Sequence, residues 1–240
     1  MKILIGIILF LTPVIVFAQD TTKFHITYSS TGSYNKTQSS NSFLFNNVLD
    51  LLEKNKSIAF NLSGTYLYGR QNSITSNRDI STILNFDYFK SPPIKNSYYW
   101  CLLEYSSSLS LKVNTEKQFG FGFAFILINN PTARLTFSDG VIYDQNNVLL
   151  NNLNINHDVI RNSFRIRYHF LINNIFNLAG LTYYQTSLEK NDFIIKSTQT
   201  AGVKLNNWLS VGSSLTFNKY AFIQRENLLL TYGLIVDKSF

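Results

Sequence analysis

Three histidines, one cysteine and a thin scatter of carboxylates are the groups in this chain that could do chemistry. A lipid hydrolase pairs a histidine with a nucleophilic serine two residues away. Here His25 is followed by Ile26-Thr27, His157 by Asp158-Val159 and His169 by Phe170-Leu171, so no such pair forms. Asp79 and Asp87 fall on one face of a strand, eight residues and roughly 26 Å apart when extended, too far to act on one bond. The histidines are dispersed and Cys101 is single, which leaves no transition-metal cluster and no internal disulfide. The asparagine-rich stretch 145–156 lacks the regularly spaced carboxylates of a calcium loop, and no glycine-rich phosphate loop opens a helix. The expectation is a chain with no catalytic residues, no cofactor and no metal.

What remains is a pattern of charge. Arg134, Arg161, Arg165, Arg167, Lys196 and Lys204 fall on the polar parity of their segments, as does His169, and Asp79, Asp87 and Glu104 carry the opposite sign. If these polar faces enclose a lumen, two outcomes compete. The groups can pair and plug it, which is the primary expectation. Alternatively, the basic excess lines a narrow passage for small anionic solutes, as charged rings set pore preference. A lipid-modifying enzyme ranks third.

The elements that would position these residues are strands. From 118 to 128, Phe119, Phe121, Phe123, Phe125 and Leu127 share one parity, and Gly120, Gly122 and Ala124 share the other. From 161 to 170, Phe164, Ile166, Tyr168 and Phe170 oppose Arg161, Ser163, Arg165, Arg167 and His169. Period-two alternation with one aromatic face is what a transmembrane β-barrel requires, phenylalanine toward lipid and polar or small groups inward. Phe119, Phe121, Phe123, Phe125, Phe164 and Ile166 are therefore expected to face lipid. About twelve such segments can be read, with a slip near Asp139 that a bulge would explain. Cys101 falls on an apolar parity and reads as a small hydrophobe.

Short turns (53–56, 129–132, 172–174, 206–207) tend to alternate with longer polar stretches read as external loops (69–77, 145–157, 219–226); the segment 90–96 departs from that rule. Tyr66, Tyr68, Tyr88, Tyr98, Tyr99, Trp100, Tyr143 and Trp208 lie near strand ends, as interfacial girdles do. The final stretch alternates through Leu228, Leu230, Tyr232, Leu234 and Val236 to a terminal Phe240. That ending is similar to the assembly signal of outer-membrane barrels, carried by Tyr232, Leu234, Val236 and Phe240.

Composition fits. The 240 residues are 15% aromatic and 15% charged, and mean hydropathy is −0.01, the average of alternating strands and not of membrane helices. Residues 1–18 read as a cleaved Sec-type signal peptide: Lys2, a long apolar run, then Val16-Phe17-Ala18. Removing Lys2 leaves 20 basic against 14 acidic groups. These are scattered, so no nucleic-acid partner is expected.

The run Thr31-Gly32-Ser33-Tyr34-Asn35, with Tyr66-Leu67-Tyr68-Gly69, Gln118-Phe119-Gly120-Phe121-Gly122-Phe123 and the closing Phe240, resembles the salt-induced outer-membrane protein family. The resemblance implies a β-barrel and an outer-membrane location but no biochemical activity. The reading is an all-β, antiparallel up-and-down barrel over 19–240 in the cell outer membrane, its termini periplasmic. It is expected to be non-enzymatic, with outer-membrane lipids, the barrel-assembly machinery and a small solute as partners.

Overall fold

The computed structural model describes residues 23–37, 40–89, 96–150 and 153–239. The predicted signal peptide, the connection 90–95 and Phe240 lie outside the described residues. Twelve strands follow one another: β1 (Lys23–Lys36), β2 (Asn41–Lys54), β3 (Ile58–Gln71), β4 (Ile74–Tyr88), β5 (Ser97–Ser108), β6 (Val113–Asn129), β7 (Ala133–Leu150), β8 (Leu153–Ile172), β9 (Phe176–Ser187), β10 (Phe193–Lys204), β11 (Leu209–Tyr220) and β12 (Arg225–Ser239). Each pairs antiparallel with its neighbours in sequence, and β12 closes on β1. Closure removes the free edges that lipid could not satisfy.

Alternation sorts the side chains. Phe119, Phe121, Phe125 and Phe164 are exposed on the outer wall, Phe121 by 60%, with Phe123 and Ile166 on the same parity. Glu116, Gln118, Ile142, Asp144, Arg161 and Arg165 are buried inside. A soluble barrel would reverse this arrangement, so the outer wall is a lipid-facing belt.

The interior is packed unevenly. Tyr98, Trp100, Leu102, Ala124 and Ile142, from β5, β6 and β7, form a buried apolar cluster. Its floor is made by glycine: a Cβ on Gly122 or Gly140, which pair across β6 and β7, would lie 2.6 or 2.5 Å from the Trp100 ring. Tyr98 and Trp100 are thus interior residues and not girdle residues, because those glycines leave a hole that only a large ring fills. Tyr66, Tyr88, Tyr99, Tyr143 and Trp208 do face outward.

The rim that carries the termini also carries the turns after β2, β4, β6, β8 and β10; the other is the far rim. There the three predicted loops are structured. The 69–77 loop is a two-residue hairpin turn, Asn72 and Ser73 having φ of 50° and 67°, the mirror-image turn that suits strand twist. The 145–157 loop is a paired ribbon in which β7 and β8 continue to Leu150 and from Leu153. The Asn114 side-chain amide donates to Asn147 (2.7 Å) and Asn154 (2.9 Å), and that of Asn147 to Asn156 (2.7 Å). The 219–226 loop shrinks to one 3₁₀ turn, Ala221–Ile223. Its Ile223 is buried with Leu111, Val113, Val148, Ile194 and Tyr220, and Phe222 packs alongside. Polar residues on both faces suggested loops, but beyond the bilayer a strand has no need of an apolar side.

The slip expected at Asp139 is absent. The β7–β8 register is the same at Ser138↔Arg165 and Val141↔Asn162. Asp139 points outward within the apolar belt, and its Oδ1 accepts a hydrogen bond from Asn162 Nδ2 (3.0 Å).

Candidate functional site: a half-filled lumen

Strand parity turns the ionisable residues inward, and the barrel's narrowness makes them meet across it. Lys196 on β10 donates to Glu104 on β5 (2.8 Å) and to Glu116 on β6 (2.9 Å). β10 is adjacent to neither β5 nor β6, so the ammonium braces separate parts of the wall. Glu116 also accepts from the Tyr220 hydroxyl (2.7 Å), Ser106 Oγ (2.8 Å) and Gln118 Nε2 (2.8 Å). Gln118 Nε2 reaches on to Asp144 (3.1 Å) and to Gln185 (3.1 Å). Asp144 accepts from Arg161 Nε (2.7 Å) and Asn146 (2.7 Å). Arg161 Nη1 also pairs with Asp192, whose other oxygen bonds His157 Nε2 (2.7 Å). The imidazole stacks on Phe222 with ring centroids 4.3 Å apart. Charge-assisted bonds therefore run unbroken from β5 to the β9–β10 turn and divide the lumen. Buried charges persist only when paired in this way.

Below this partition, Arg165 Nε donates to Ser138 (2.7 Å), and its guanidinium lies against Trp100 and Tyr183. Beside this packing a cavity of about 520 Å³ remains, bounded by β2, β3, β4, β10, β11 and β12 and reaching Ser106 on β5, Arg167 and His169 on β8 and Tyr183 on β9. Its lining is mixed: hydroxyl and amide side chains, including Asn46, Asn61, Thr65, Ser81, Thr198 and Thr216, alternate with apolar ones such as Val48, Leu67, Ile83, Leu181 and Leu229.

The residues singled out from the sequence separate accordingly. Asp79, Glu104, Arg167, His169 and Lys196 border the cavity. Asp87, Arg161 and Arg165 are buried on the filled side. Arg134 points inward near the terminal rim with a buried, unpartnered Nε, and Lys204 is exposed at that rim. Tyr232 and Leu234 are exposed on the outer wall, and Val236 shares their parity. The expected basic excess is not what the interior presents, because Asp50, Glu116 and Asp144 are also inside. Extending the parity of Gly120 and Gly122 back through Gln118 reaches Glu116, and extending that of Ile142 forward reaches Asp144.

Comparison with solved structures follows from this architecture. A NanC porin superposes with a TM-score of 0.53 at 7% identity, over 90% of this chain and 99% of its own. An outer-membrane channel from Pseudomonas putida F1 gives 0.50 at 10% identity, over 91% and 95%. The translocator domain of autotransporter NalP from Neisseria meningitidis gives 0.47 at 12%, over 98% and 95%. At such identities the likeness is one of fold. No family model and no curated protein sequence matches the chain. The fold is that of the outer-membrane β-barrels, porins and channels among them, and the apolar outer wall fits that membrane.

Proposed function

We propose that the hollow side of the lumen is a narrow passage for small hydrophilic solutes across the outer membrane, without a catalytic step. The terminal rim faces the periplasm and the far rim the outside. One observation carries the reading: ion pairing and aromatic packing fill only part of the interior and leave beside them a cavity of about 520 Å³ into which hydroxyl and amide side chains point from several strands. A barrel serving only as an envelope strut gains nothing from a polar void, since unfilled volume forfeits dispersion contacts. Water in such a void has many hydroxyl and amide partners, and a small solute can replace it.

Planar-bilayer recording with the purified full-length barrel tests the passage. Discrete conductance steps are expected, reduced when Ser81→Trp narrows the cavity. A protein with the heat-modifiable gel mobility of a folded barrel but neither conductance nor solute influx into liposomes would refute the reading and leave the strut.

A further inference from the structure

We infer that the cavity selects uncharged, polyhydroxylated solutes of monosaccharide size over charged ones of equal bulk. This rests on the passage reading and deepens it. The lumen holds many charges, but those bordering the cavity are already committed. Lys196 sits between Glu104 and Glu116 at 2.8 and 2.9 Å. Asp79 accepts from the backbone N–H of Leu109 (2.9 Å) and the Ser110 hydroxyl (2.9 Å), fastening the β5–β6 turn. Arg167 makes no direct ion pair among the described residues, but Asp50, which also borders the cavity, and Asp87 lie within electrostatic reach of it. An ion leaving water for this space meets opposite charges whose bonding positions or flanks are already taken by protein groups, so little offsets its lost hydration.

A neutral polyol faces a different exchange. Asn46, Asn61, Thr65, Ser81, Thr198 and Thr216 line the cavity, and none makes a side-chain hydrogen bond to another of the described residues. They come from β2, β3, β4, β10 and β11, so donors and acceptors surround the solute from several sides. Each solute hydroxyl trades a bond to water for one to the wall, a nearly even exchange. The volume falls in the range of small-ligand sites and exceeds what a single water requires.

Liposome swelling with the full-length barrel, using D-glucose, gluconate and glucosamine as probes of similar bulk, tests the inference. Glucose influx is expected about tenfold faster than that of either charged analogue. Ser81→Lys, which adds an unpaired cation, is expected to raise gluconate influx relative to glucose, with heat-modifiable mobility confirming that the variant folds. Equal rates for the three probes would overturn neutral selection while leaving the passage intact. So would potassium chloride conductance without glucose influx. Absence of both conductance and swelling from a folded barrel would overturn the passage and the selection together.

Discussion

The Arg165 guanidinium carbon stands 4.7 Å from the centroid of the Trp100 indole, and the indole in turn lies over the glycine pair Gly122 and Gly140. The three strands β5, β6 and β7 join on this contact, because the ring fills the hole left by the glycines and covers the arginine. Trp100→Ala removes both. The expected cost is about 3–5 kcal/mol, read from the urea midpoint of unfolding in lipid vesicles. A shift no larger than that of an exposed tyrosine, such as Tyr99→Ala, would show that the cluster contributes little.

Lys196 is the cation on which two buried carboxylates depend. Lys196→Met strands Glu104 and Glu116 and is expected to destabilise the barrel by about 3–5 kcal/mol. Adding Glu104→Gln and Glu116→Gln to that variant should recover much of the loss, since neutral amides keep hydrogen bonds without demanding a counter-ion. If the triple variant proves no more stable than Lys196→Met alone, charge pairing is not what holds the partition.

Asp139 presents a carboxylate to the apolar belt, flanked on its own strand by Phe137 and Val141, with Phe123 opposite on β6. Asn162 supplies its hydrogen bond. Lipid-facing charge near mid-bilayer is costly, less so for acids than for bases. Asp139→Leu is expected to stabilise the barrel by about 1–2 kcal/mol, read from the same unfolding midpoint. Destabilisation would mean that this face is covered by something other than lipid.

The Asn72-Ser73 turn places both residues in the left-handed region. Asparagine tolerates this; serine tolerates it less well. Ser73→Gly is expected to raise stability by about 0.5–1 kcal/mol, and an unchanged midpoint would argue that the turn relaxes in the bilayer-bound protein.

The belt was legible from the sequence because parity is a local property. Phe119 to Phe125 declare their side of the wall within seven residues, and twelve strands follow from counting such runs. The partition was not legible in the same way. Lys196 meets Glu104 across 92 positions of sequence, and nothing local to either residue says that they face one another. Glu116 and Asp144 were missed differently: each stands at the far end of its alternating run, where a strand that passes the bilayer loses its greasy side. Tyr98 and Trp100 sit where a girdle residue would sit. Only the missing Cβ atoms on β6 and β7 turn them into filler, and those glycines belong to other strands.

The far-rim ribbon, with its ladder of asparagine amides, has a consequence for what the cell displays. In the proposed orientation, with the termini in the periplasm, the β7–β8 strands reach outside as a paired blade up to Leu150 and Leu153 instead of a pliable tuft. Antibodies raised against a short linear peptide from this stretch would then meet the wrong shape on living cells, whereas sera against the folded barrel would find a rigid epitope held at a fixed distance from the lipid.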